Sequence, residues 1–200
     1  MKQKPWVTYL FLAIQIVVFL WMTLFYYQQT GLWNGTEQSS VLYLFGAEFP
    51  PAILQGHEYW RLVTPIFIHI GLVHLLMNSI TLYYVAPPLE AWLGHWKFVI
   101  LYLISGIGGN LCSLFLGKPN VISAGASTAL FGLLAAYFAL RFLHHNPYIQ
   151  ALSQQYALFI VLNIVMNLFE SNVDIFGHLG GALTGFVLMF LLGRHLKTNS

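Results

Sequence analysis

The sequence predicts an all-α, polytopic membrane protein folded as a bundle of six transmembrane helices. Three observations predict it. Only 7% of the 200 residues are charged, against about 25% in an average soluble domain. Apolar residues make up 58% of the chain, and its mean hydropathy is +0.70. A globule of this size has too little interior to hide so much apolar surface. Finally, the few basic residues fall mainly on alternate connections between apolar runs, as membrane topology requires. Disorder, a coiled coil and a disulfide scaffold are excluded by the same figures, since the chain has one cysteine, Cys112. A net charge of +2 gives no reason to expect nucleic acid as a partner.

A spanning helix needs about 20 mostly apolar residues. The first run covers 6–27 and is broken only by Thr8, Gln15 and Thr23. Lys2 and Lys4 precede it, as in a signal peptide, but the run is too long and no small-residue cleavage site follows, so it reads as a retained span. Residues 28–60 contain Gly35, Pro50, Pro51 and the acids Glu37, Glu48 and Glu58, which makes them too polar to span. Trp33, Tyr43, Phe45, Tyr59 and Trp60 suit a segment lying at headgroup level. Further spans are expected at about 62–86, 96–116, 126–143, 155–170 and 177–193.

With a cytoplasmic amino terminus, this count puts Lys2, Lys4, Lys97, Arg141, Arg194 and Lys197 inside, and only Arg61 and Lys118 outside. Both termini are therefore expected in the cytoplasm. The whole chain, 1–200, reads as one six-span domain with its core at about 55–193 and no separate soluble domain.

Polar residues inside a bilayer are costly, so each calls for a reason. His74 and Asn78 are four apart and share a helix face. His69 lies five before His74, about 140° round a helix, so the two histidines do not form one metal-ligand face. Hydrogen bonds between helices would also account for His74 and Asn78. Gly125-Ala126-Ser127 opens a span after a turn-rich stretch, like a nucleophile turn leading into a helix. Small residues that merely permit close packing are the competing reading. Gly177, Gly181 and Gly185 form a stripe at helical spacing beside His178. The matching small face is Thr128, Gly132 and Ala136 on the Ser127 helix. Contact between the two faces would bring His178 to Ser127, because both lie near the external ends of their spans. Asn163 and Asn167, again four apart, read as interhelical contacts, and His144, His145 and His195 as solvated residues at cytoplasmic ends. Glu90, beside Pro87 and Pro88, reads as ordering the inner turn.

Together these residues resemble the rhomboid family of intramembrane serine proteases. The family's Gly-x-Ser matches Gly125-Ala126-Ser127, and its His-x-x-Gly-x-x-x-Gly matches His178, Gly181 and Gly185. Its His and Asn four apart match His74 and Asn78, preceded by His69. Its aromatic-Arg pair matches Trp60-Arg61, and its Glu-x-x-x-Gly matches Glu90 and Gly94. The chain departs from the common pattern with Ala86 and Thr128, where glycine is frequent, and with Phe131, where tyrosine is frequent.

The resemblance implies a rhomboid-like bundle and a serine endopeptidase acting by a Ser127–His178 dyad. The Ser127 N–H, His74 and Asn78 would supply the oxyanion donors, and Phe131 would stack on the imidazole. No third carboxylate is expected, since Asp174 falls in an external loop and a buried carboxylate is costly in lipid. No metal or cofactor is implied. The implied partners are the lipid bilayer and transmembrane protein substrates. The implied setting is the cell membrane, with the active site open to the extracellular side. The loop 171–176 joins the fifth span to the His178 helix and reads as a lid that gates entry. Two other classes compete. A non-catalytic rhomboid-like binder or chaperone of membrane helices would ordinarily lack the Ser or the His. A small transporter would show paired broken helices or inverted repeats.

Overall fold

The structure is a computed structural model that describes residues 4–144, 146–167 and 173–194, the side chains of 162–167 excepted. Its helices are α1 (Trp6–Thr30), α2 (Ser39–Phe45), α3 (Pro50–Leu54), α4 (Gly71–Leu93), α5 (His95–Leu116), α6 (Ser127–Leu143), α7 (Pro147–Asn167) and α8 (Ile175–Leu192). Among the described residues the only β pairing is an isolated antiparallel bridge between Glu48 and Ser123. The all-α fold expected from the sequence is the one observed.

α1, α4, α5 and α8 are each long and apolar enough to cross a membrane, and α6 is a shorter apolar helix. The surface agrees. Val17, Trp21, Val73, Tyr84, Trp96, Leu183 and Leu191 are all exposed, which a water-facing surface would tolerate poorly. The chain is a multi-pass membrane protein. Two helices differ from the expected spans. α4 starts at Gly71 rather than near 62, because Thr64–Phe67 forms a 3-10 turn and Gly71, the first helical residue, takes φ 75° to turn the chain into the helix. α4 then continues through Pro87 and Pro88 to Leu93. α7 starts at Pro147, eight positions before the expected 155. Proline is well suited to a first helical position, and the Asn146 side chain accepts from the Tyr148 N–H at 2.8 Å.

α6 is the central post. Leu130, Leu133, Leu134, Ala136, Tyr137 and Leu140 are all buried, as expected of a helix apolar on every side. α4, α5, α7 and α8 all pack on it. Small residues set the closest approaches. A Cβ at Gly181 would run into the Thr128 carbonyl, and one at Gly185 into the backbone of Gly132. α5 closes on α8 in the same way, with Gly108 against Thr184 and Gly180 against Cys112. Without a hydrophobic drive between helices in lipid, such close backbone contact is a main source of cohesion.

α1 docks on α4 and α5 through polar groups. The Glu90 carboxylate accepts from the N–H groups of Val7 (3.0 Å) and Thr8 (2.8 Å) and from the Thr8 hydroxyl (2.6 Å). α1 has no side-chain cap of its own, so Glu90 of a different helix serves its unpaired first-turn donors. His95 Nδ1 lies 2.6 Å from the same carboxylate. Two turns further along α1, the buried Gln15 amide donates to the Tyr102 hydroxyl at 3.0 Å.

The segment between α1 and α4 packs Val41, Leu42, Ala47 and Ile68 against Met22 of α1 to form a second small core. Arg61, 3% exposed, ties it together. Its guanidinium donates to Glu58 (2.6 Å) and to the carbonyls of Tyr43 (2.7 Å) and Ala47 (2.9 Å), and lies over the rings of Tyr43 and Trp60. Arg61 thus has three acceptors and two aromatic faces, enough to offset its burial.

Candidate active site

Ser127 is the first residue of α6. The loop before it is held by a hydrogen bond from the Gly125 N–H to the Pro65 carbonyl (3.0 Å), and Gly125 takes φ 145°, a conformation open to glycine. A Cβ there would meet His74 Nε2 at 2.8 Å and lie 3.5 Å from Ser127 Oγ. The bare glycine therefore leaves the space on which both side chains converge.

His178 lies in the first turn of α8. Asp174 caps that helix, its carboxylate accepting from the Gly177 N–H at 2.8 Å. The contact of Gly181 and Gly185 with α6 turns His178 toward Ser127, and Nε2 lies 2.9 Å from Oγ. The Phe131 ring, one turn along α6 from Ser127, stacks on the imidazole at 4.3 Å between centroids and 8° between planes. Both Ser127 and His178 line a cavity of about 1380 Å³, together with His74, Asn78 and Phe131.

His74 and Asn78 share the α4 face that borders this cavity, and the Asn78 amide donates to the His74 carbonyl at 2.9 Å. His69 is fully buried behind His74, the two rings 5.4 Å apart and tilted edge to face. Trp60, Arg61 and Glu90 lie elsewhere. Trp60 and Arg61 belong to the segment between α1 and α4, and Glu90 is at the opposite end of α4 from His74. Asn163 and Asn167 lie on α7, but their side chains, like His145, His195 and residues 171–172 of the suggested lid, fall outside the described residues.

Sequence reasoning missed one group at this cavity. Glu48 is 1% exposed, lines the cavity, and shares the bridge with Ser123. Burial, and next the charge of Asp174, push its carboxyl up to about 9, against a smaller opposing effect of the Ser113 hydroxyl. Ser123 Oγ in turn lies 3.5 Å from the Asp174 carboxylate. Positions 48, 113, 123 and 174 come from separate segments, so no local motif signals them. Asp174 itself, expected in a loop, caps the helix that carries His178.

Comparison with known proteins agrees with this architecture. The rhomboid domain profile matches residues 56–195. The chain is 36% identical over 190 residues to the rhomboid protease GluP of Bacillus subtilis, covering 95% of this chain but 35% of that protein. It is 33% identical over 187 residues to the Bacillus subtilis rhomboid YdcA, covering 94% of this chain and 88% of the other. It is also 40% identical over 157 residues to RHOMBOID-like protein 2 of Arabidopsis thaliana, covering 77% of this chain and 49% of that one. With a family profile over most of its length and relatives of this similarity, the chain belongs to the rhomboid family.

Proposed function

We infer that the protein is an intramembrane serine endopeptidase that cuts peptide bonds in or near transmembrane segments of other membrane proteins. The observation that carries this reading is the 2.9 Å contact between His178 Nε2 and Ser127 Oγ, in a cavity that His74 and Asn78 also line. Ser127 is a weak nucleophile until a base takes its proton, and His178 is in hydrogen-bond reach to do so. Oγ attacks the scissile carbonyl carbon as its proton passes to Nε2. The carbonyl oxygen becomes an oxyanion, for which the Ser127 N–H, the His74 ring and the Asn78 amide are the donors. Each such donor is worth about 3–4 kcal/mol of barrier. The imidazolium then protonates the leaving amine as the C–N bond breaks. A water, deprotonated by His178, hydrolyses the acyl-enzyme ester and restores the serine.

Phe131 and the glycine contacts of α8 orient the imidazole in this dyad, a role that a carboxylate fills in triads. A transmembrane substrate hides its peptide bonds in its own helix, so a cleavable one must unwind, which Gly, Pro or polar residues near the cut would favour. The charge pattern supports six crossings within one domain, cytoplasmic termini and a cavity open to the outside of a cell membrane. The retention of both Ser127 and His178 argues against a non-catalytic binder. The test is a purified protein in detergent, incubated with a labile transmembrane substrate and separately with a serine-directed fluorophosphonate. Cleavage and labelling are expected, and both vanish in Ser127→Ala and His178→Ala. Undiminished cleavage by Ser127→Ala overturns the reading.

A further inference from the structure

Glu48 is a buried acid that lines the cavity of the dyad and to which the reaction assigns nothing. It sits between α2 and α3, where backbone bonds to Ser123 fix it on both sides: Glu48 N–H to the Ser123 carbonyl at 2.8 Å, and Ser123 N–H to the Glu48 carbonyl at 3.0 Å. The side chain is 1% exposed, and neither carboxyl oxygen meets a partner in good hydrogen-bond geometry. From Ser123 the path continues to Asp174, whose two oxygens are divided between the Ser123 hydroxyl (3.5 Å) and the Gly177 N–H (2.8 Å). The next residue is His178, whose own N–H donates to the Asp174 carbonyl at 3.1 Å. Through the backbone of Glu48, these bonds link Glu48, Ser123, Asp174 and His178 in one chain of contacts ending at Ser127.

We propose that Glu48 is a positioning residue for His178, its carboxyl acting on the Asp174 cap of α8, which the bridge to Ser123 holds near it, so that loss of its proton draws the imidazole away from Ser127. The inference rests on the dyad reading above. Asp174 and the Ser113 hydroxyl of α5 act directly on the Glu48 carboxyl, while Glu37, Lys118, His74 and His178 line the same cavity. A neutral Glu48 can sit beside the Asp174 carboxylate. An ionised one brings a second negative charge into a poorly solvated site, and Asp174 is the movable partner because it ends a helix rather than a bridge.

The sign follows from linkage. The folded carboxyl holds its proton up to about 9, against 4.5 for the ordinary group. The support given by a neutral Glu48 is therefore complete below 4.5 and lost as pH rises through 9. In the wild type, cleavage and fluorophosphonate labelling should fall together at alkaline pH with a midpoint near 9.

The experiment follows both rates from pH 6 to 10.5 for the full chain in detergent. Glu48→Gln is isosteric and always neutral. It should keep the rate at pH 7 within about two-fold and lose the alkaline fall, a change that lost packing alone would not produce. Ser113→Ala removes the hydroxyl that favours ionisation and should move the wild-type midpoint upward, which gives a readout even where Glu48→Gln does not fold. The proposal is overturned if the wild type shows no alkaline fall, if Glu48→Gln falls with the wild-type midpoint, or if Ser113→Ala leaves that midpoint unmoved. The two readings fail differently. Protein inert to substrate and probe at pH 7 overturns the dyad and this proposal with it, whereas protein active at pH 7 with an unaltered alkaline limb overturns this proposal alone.

Discussion

The imidazole of His178 lies face to face with the ring of Phe131, 4.3 Å away and only 8° from parallel. The stack fixes the plane of the histidine, while α8 fixes its position. Both are needed if Nε2 is to meet Ser127 Oγ along its lone pair. An aromatic pair of this kind adds about 0.5–1.5 kcal/mol beyond simple burial, so Phe131→Leu should slow cleavage by up to about ten-fold. Phe131→Tyr, which preserves the ring, should stay within about three-fold of the wild type. Steady-state kinetics on one transmembrane substrate would check this, with the loss expected in kcat rather than KM.

Gly125 is predicted to be intolerant of any side chain. Its φ of 145° disfavours L residues, and a Cβ would stand 2.6 Å from His74 Cε1. Gly125→Ala should therefore displace His74 from the space beside Ser127. Loss of one oxyanion donor costs about 100- to 1000-fold in kcat. The measurement is single-turnover cleavage, with circular dichroism to show that the helices remain.

His74 and Asn78 can be separated by substitution. Each of His74→Ala and Asn78→Ala should lower kcat by about 100-fold or more if the side chain donates to the oxyanion. The double variant should lose less than the sum of the two, because the Asn78 amide bonds to the His74 carbonyl and the residues share one helix turn. A double-mutant cycle on cleavage rates tests both statements. Unaltered rates in either single variant would remove that residue from the site.

Glu90 acts on stability rather than on chemistry. Glu90→Gln keeps the shape but replaces a carboxylate that accepts three hydrogen bonds from α1 with an amide that offers one acceptor oxygen. Hydrogen bonds to a charged group contribute about 1.5–3 kcal/mol each, so a loss of at least about 2 kcal/mol is expected. Equilibrium unfolding in mixed micelles should show it, together with faster proteolysis of α1. A Glu90→Gln protein as stable as the wild type would mean that α1 is held by its apolar contacts alone.

Much of the molecule was legible in its residues. Scarce charge and long apolar runs dictated a helical membrane protein, because lipid offers no partner to an unpaired backbone. The glycine stripe of α8 and the small face of α6 were visible as spacings, and their contact was deducible because small residues at helical period allow close approach. Gly125, Ser127 and His178 stood out for the same local reasons. The start of α4 is not legible in the residues, since apolar composition continues from Leu62 through positions that the 3-10 turn at Thr64–Phe67 and the turn into Gly71 keep out of the helix.

The sequence by itself determined the solvent of this protein, the helical class of its fold and the residue types available for chemistry. Those depend on composition and on periodicity within single helices. The tertiary structure decided which distant groups meet. Glu90 reaches the start of α1 across 82 positions, and Asp174 meets Ser123 across 51. Glu48 becomes a buried acid only because separate segments close over it. Such contacts depend on crossing angles and loop paths, which are set by the fit of whole helix faces rather than by any local pattern. The few charges that first marked the chain as a membrane protein are therefore also where its fold holds most to be tested.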